Sequence, residues 1–199
     1  MAKVFVFCVG GTGIRVMKSV IMLAASGMKT NGYDIVPIII DPHVDLEENT
    51  ILTTTVGDYI KVYKNATSGT AQQLDAPNGF FNTKILRLED LDNQQNPMGA
   101  NMAEKKSFGQ YLNIGSLAND DVNNYLIQTL YSKENLCNSL SVGFKGNPNV
   151  GTVVLNEMIS GADWYDSFQR HCEKGDRVFI ISSIFGGTGA SGYPLLEKK

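Results

Sequence analysis

The chain has no long apolar run and no long basic run. Nothing in it approaches the roughly 20 consecutive apolar residues that a membrane-crossing helix requires. Its N-terminus, MAKVFVFCVGG, offers one lysine and six apolar residues before the glycines, too short for a secretory signal core. A cytoplasmic protein without a membrane segment is therefore expected. Basic residues never exceed two in a row, as at Lys105-Lys106, and the net charge is −3. That excludes the basic face a nucleic-acid footprint needs. Cysteine is scarce: Cys8, Cys137 and Cys172 show no C-x-x-C spacing and read as reduced thiols, not as a disulfide or zinc site. Histidine is scarcer still, and His43 and His171 stand alone.

What is present describes an ordinary globular chain. Of its 199 residues 43% are hydrophobic and 19% charged, enough for one α/β domain, with or without an insertion. Val4–Val9 is a continuous apolar run, the pattern of a strand buried on both faces of a parallel sheet. Ile14, Met17, Ile21 and Ala24 then recur at helical spacing. A second buried strand is expected over Val36–Ile40, with Pro37 marking a strand edge or start. Residues 49–140 are rich in Asn, Gln, Thr and Asp and read as a polar insertion. Within it, Val122, Tyr125, Leu126, Thr129 and Leu130 share one side of an expected helix. One helix over roughly Thr152–Glu173, weakened at Gly161, and a third buried strand in GDRVFIISSIF complete the regular pattern. The chain stops one or two turns into a further helix, which reads as a fragment of a longer protein.

The tetrapeptide GGTG occurs twice, as Gly10-Gly11-Thr12-Gly13 and Gly186-Gly187-Thr188-Gly189, each time after an apolar run. A glycine loop between a parallel strand and a helix exposes unpaired N–H groups at the positive end of a helix dipole, and a threonine adds a hydroxyl. Phosphate is the natural ligand. Two such loops at the carboxyl ends of strands in one sheet converge on one crevice. Neither familiar phosphate motif fits. A dinucleotide fingerprint would need a glycine at Val16, and a P-loop would need glycines at Thr12 and Met17 ahead of Lys18-Ser19.

A third glycine segment narrows the reading. VGFKGNPNVGTVVLNEM, from Val142, resembles the G-x-G-G-N-P-x-x-G loop of FtsZ, the bacterial tubulin homologue. DRVFIISSIFGGTGASGYP resembles that family's strand and G-G-G-T-G-[ST]-G signature, and IIIDPH sits where the family has an acidic strand-end loop. Val9–Arg15 is similar to the G-x-G-G-T-G-then-Arg segment of bacterial tubulin-like proteins. The resemblance covers about residues 3–45 and 142–199.

It implies an α/β, Rossmann-like three-layer parallel sheet of the tubulin/FtsZ GTPase type, truncated after the signature loop. Residues 1–199 would form an incomplete N-terminal nucleotide-binding domain binding GTP or GDP with Mg2+. Gly10, Gly11, Thr12 and Gly13 would contact the α- and β-phosphates, as would Gly186, Gly187, Thr188 and Gly189. Gly146, Asn147 and Pro148 would shape the γ-phosphate loop, and Asp41 would lie near the ribose or the magnesium waters. Arg15 is either a phosphate clamp or a solvated first-turn arginine. The family's full-length members polymerise head to tail, so a homo-polymer is the protein partner implied. Its base-reading parts and hydrolysis-completing acidic loop would follow residue 199, leaving guanine versus adenine open and no catalytic residue here. Phe185 in place of a glycine, and Ala190, depart from the signature. They keep open a nucleotide-binding scaffold without hydrolysis; a Rossmann-like enzyme using another nucleotide cofactor, a nicotinamide or flavin, is a separate alternative. Gly187→Val and Gly189→Val are expected to abolish binding with the fold intact.

Overall fold

The structure is a computed structural model that describes residues 2–43, 47–67, 81–93 and 106–198. Three parallel strands, β1 (Ala2–Val9), β2 (Tyr33–Ile40) and β3 (Arg177–Ile181), form one sheet in the order β2-β1-β3. Val9 lies opposite Ile40, and Cys8 opposite Ile181, so all three strands end on the same side of the sheet. Helix α1 (Gly10–Ala25) links β1 to β2.

The uninterrupted apolar run of β1 is explained by burial on both faces. Phe5, Phe7 and Val9 face one apolar core, and Val6 and Cys8 the other. On the Cys8 side, Ile14, Met17 and Ile21 of α1 pack with Leu52 and Val56 of α2 (Glu47–Thr67). On the Phe7 side lie α7 (Pro148–Ile159) and α8 (Asp163–His171). The ring of Phe168 meets those of Phe5 and Phe7 edge-on, each at 5.0 Å between centroids. Helices therefore cover both faces of a parallel sheet, an α/β architecture consistent with a Rossmann-like fold.

In chain order between α2 and α7 come shorter helices: α3 (Glu89–Asp92), α4 (Phe108–Tyr111), α5 (Val122–Leu130) and α6 (Lys133–Cys137). The chain closes with α9 (Gly187–Glu197). The polar stretch from residue 49 thus supplies most of α2, whose Leu52 and Val56 belong to the core.

Four expectations are corrected. The second strand starts at Tyr33, not Val36. Ile35 bonds outward, its N–H to the Lys84 carbonyl and its own carbonyl to the Leu86 N–H. Pro37, two residues on, turns its imino nitrogen the same way and removes no bond to β1. The single helix over 152–173 is two helices, broken at Gly161, whose φ of +69° lies in the left-handed region. The third strand is not buried, since Val178 and Phe179 are 47% and 62% exposed along the sheet edge. Finally, the GGTG segments are not loops preceding helices. Gly10–Gly13 form the first turn of α1, while Gly186 is the N-cap of α9 and Gly187–Gly189 lie in its first turn.

Candidate anion-binding site

Where β1 and β3 end, the two GGTG segments touch. Gly10 enters α1 at φ +68°, and a β-carbon there would lie 3.3 Å from Thr188 Cβ and 3.7 Å from the Gly189 nitrogen. The third glycine segment closes on the same point. A β-carbon on Gly187 would lie 2.8 Å from Phe144 Cβ and 3.1 Å from the Gly146 nitrogen. One on Gly143 would lie 3.9 Å from Thr188 Oγ1. Three helix N-termini therefore converge: α1 at Gly10, α9 at Gly187, and α7 at Pro148 behind its N-cap Asn147.

The first turns of these helices are chemically distinctive. N-terminal N–H groups lack intrahelical partners and carry the positive end of the dipole. Elsewhere in the described chain they are answered locally. Ser107, Asp121 and Ser132 cap α4, α5 and α6 with their side chains. Glu47 and Glu48 stand in the first turn of α2, Glu89 and Asp90 in that of α3, and Asp163 and Asp166 in that of α8. Among the described α-helices, only α1, α7 and α9 have neither a side-chain cap nor an acidic first turn. Positive backbone charge is concentrated there and left unanswered by side chains.

The glycines divide into two kinds. Gly13 and Gly189 are packing residues, since their β-carbons would fall 2.6 Å from the Ile181 carbonyl oxygen and 2.3 Å from that of Ser183. They seat α1 and α9 against the sheet. Gly186 has nothing within 4 Å and, with half-buried Thr12, Gly11 and Thr188, is open to an incoming group. Asn147 shapes the turn by donating its N–H to the Phe144 carbonyl at 2.8 Å. Pro148 uses its carbonyl to accept from Ser191 Oγ at 2.9 Å, tying α7 to α9.

Asp41 and Arg15 lie to the side. Asp41 follows Ile40, the register partner of Val9, and is 4% exposed. Its carboxylate accepts the His43 N–H at 2.9 Å, while Asn49 Nδ2 donates to the His43 carbonyl at 2.8 Å. These two bonds hold the turn after β2 and leave Asn49 Oδ1 buried without a partner. Burial raises the Asp41 pKa, with Glu48 adding to it and the His43 N–H and ring opposing. Arg15 is largely exposed and reaches Glu48 at 3.7 Å, a solvated ion pair between α1 and α2. Glu47 and Glu48 give α2 an acidic first turn, and Asp45, which the sequence groups with them, lies outside the described residues.

Sequence reasoning overlooked Lys145. It is exposed, adopts φ +47°, and is followed by Gly146 at φ +76°, so it presents a cation beside the α7 N-terminus. Its signal was visible as the one charged residue inside GFKGNPNVG. Among the described residues no three His, Cys, Asp or Glu side chains are grouped to hold a metal. No described helix is long and apolar enough to cross a membrane. Cys8 is buried, which pushes its thiol up to about 12 and leaves it inert.

No family model, no curated protein and no solved structure matches the chain.

Proposed function

We propose that the chain binds the phosphate groups of a purine nucleotide, GTP first among candidates, where α1, α7 and α9 begin. One observation carries the reading: three helix N-termini converge with neither side-chain caps nor acidic first turns. Such a junction attracts a compact polyanion and repels little of it. Backbone N–H groups of Gly11–Gly13 and Gly187–Gly189, the hydroxyls of Thr12 and Thr188, and the Lys145 ammonium supply the donors. Guanine is suggested by the tubulin-like order of the motifs, which also makes cytoplasmic, head-to-tail assembly part of the proposal. A magnesium ion, when bound, would neutralise phosphate charge. With no acidic cluster among the described residues, it would be held mainly by the phosphates and water, with buried Asp41 and the free Asn49 Oδ1 nearest in kind.

Thermal denaturation with GTP, GDP, ATP and pyrophosphate, each with Mg2+, tests the reading, followed by titration calorimetry. A ligand at about ten times its Kd stabilises by about 1.4 kcal/mol, and added salt should weaken it. No shift with any of the four at millimolar concentration overturns the assignment. Pyrophosphate binding without preference for a nucleotide retains the anion site and removes the nucleotide.

One observation favours a scaffold that binds nucleotide without hydrolysing it. Phe185 stands where the resembling signature has a glycine, and is 91% exposed beside 73%-exposed Ile184. Two apolar side chains at the rim suit contact with another protein. Nucleotide that co-purifies and is never turned over would support this second reading.

A further inference from the structure

Arg15 stands one turn along α1, four residues after Gly11 and on the same row of the helix surface. The row is open to solvent: Gly11 and Thr12 are half-buried and Arg15 is exposed. Helical side chains lean toward the N-terminus of their own helix. The backbone of α1 therefore leans Arg15 toward the first turn, where the Gly11–Gly13 N–H groups lie.

The guanidinium rests instead on Glu48 of α2, Nη1 to Oε1 at 3.7 Å. That distance is past hydrogen-bond range, so charge alone holds the two together. Both side chains are wet, 62% and 39% exposed, and a screened pair of this kind contributes little. Glu48 has a second source of support, because it stands in the first turn of α2 and complements that helix dipole. The pair is also local to the junction. Glu48 is near enough to Asp41 to oppose its ionisation, and Asp41 follows Ile40, the register partner of Val9, which leads into Gly10.

A phosphate offers the guanidinium more than Glu48 does. Its oxygens suit the planar fork, and a hydrogen bond between charged groups is roughly twice as strong as a neutral one. We propose that Arg15 exchanges Glu48 for a phosphate bound at the junction, and that Glu48 thereby competes with the anion for this side chain. The exchange presupposes the anion site proposed above. Phosphate clamp and solvated arginine, the two roles open to Arg15, are then two positions of one side chain. Glu48 sets the affinity without touching the ligand.

Titration calorimetry with Mg2+ and pyrophosphate, in about 0.15 M salt where charges beyond about 8 Å are screened, reads the exchange. Arg15→Ala should weaken binding about tenfold, the loss of one charge-assisted contact. Glu48→Gln should tighten it about threefold, the scale of an exposed ion pair, while slightly lowering the melting temperature through the α2 dipole. Tighter binding by a less stable protein is an outcome that a merely structural effect would not produce. In the Arg15→Ala background, Glu48→Gln should change the affinity no further. An equal tightening in that background overturns the exchange, since Glu48 then acts only by repelling the anion. Arg15→Ala that binds like wild type overturns it too, and leaves the anion site standing. Absence of pyrophosphate binding by the wild type removes the site itself and the exchange with it.

Discussion

Gly10 and Thr188, 178 positions apart, stand against each other so closely that a β-carbon on Gly10 would lie 3.3 Å from Thr188 Cβ. The two copies of one tetrapeptide are facing parts of a single junction, one at the end of β1 and the other after β3. Its chemistry comes from backbone, so substitutions must be chosen by what each glycine touches.

Gly189→Ala should cost about 1–3 kcal/mol of stability, because its methyl group would press on the Ser183 backbone at 2.3 Å. The same crowding overturns the expectation that Gly187→Val and Gly189→Val leave the fold intact. Gly186→Val is the discriminating variant, with φ −98° and nothing within 4 Å. Urea denaturation should find a loss of no more than about 1 kcal/mol, that of a poorer N-cap for α9, while calorimetry finds pyrophosphate binding weakened.

Lys145 invites two substitutions that separate binding from stability. Lys145→Ala should weaken pyrophosphate binding about tenfold, the worth of one charge-assisted contact, and flatten its salt dependence. Lys145→Gly should weaken binding equally yet raise stability by about 1 kcal/mol, because glycine adopts φ +47° without penalty. Binding unaffected in both variants would remove Lys145 from the site.

Gly151 permits α7 to press on α9. Its β-carbon would fall 2.2 Å from Ser191 Oγ and 2.6 Å from Phe144 Cδ2. Gly151→Ala should therefore destabilise by about 1–3 kcal/mol despite alanine's better helix propensity. Because Ser191 holds the Pro148 carbonyl, anion affinity should fall as the N-termini part. A variant as stable as wild type would contradict this packing.

The Lys3–Asp176 contact sets an acid limit. Burial pushes the Asp176 pKa up, but N–H donors from Glu173 and Lys3 and the Lys3 ammonium at 3.3 Å outweigh it, so the folded value lies below 3.8. A depressed folded value means that this stability is fully present above about pH 3.8 and lost as pH falls through the folded pKa. Asp176→Asn should lower stability at neutral pH and flatten this part of the profile, as chemical denaturation between about pH 2 and 6 would register.

Much of the sheet was legible from sequence. Val4–Val9 and the Ile14-Met17-Ile21 spacing carry period and burial together, so β1 and α1 declare themselves. RVFII misleads because an apolar run reports composition and not position, and Val178 and Phe179 are exposed at the edge. The division of labour within GGTG was hidden for a related reason. Gly13 and Gly189 are glycines because of what packs on them, and that backbone comes from Ile181 and Ser183. Uncapped first turns were readable in principle, since GGTG and NPNV carry no carboxylate, but only convergence in space gives them meaning.

Pro37 makes the sheet unequal at its two margins. Its imino nitrogen lies on the outer side of β2, so that margin can extend no regular ladder past it. β3 carries no such block, and its Val178 and Phe179 meet water. Among the described strands, the β3 side is therefore the margin whose outward N–H and C=O groups can still extend the ladder. A proline at Val178, whose N–H faces away from β1, would close that margin without removing a bond to β1.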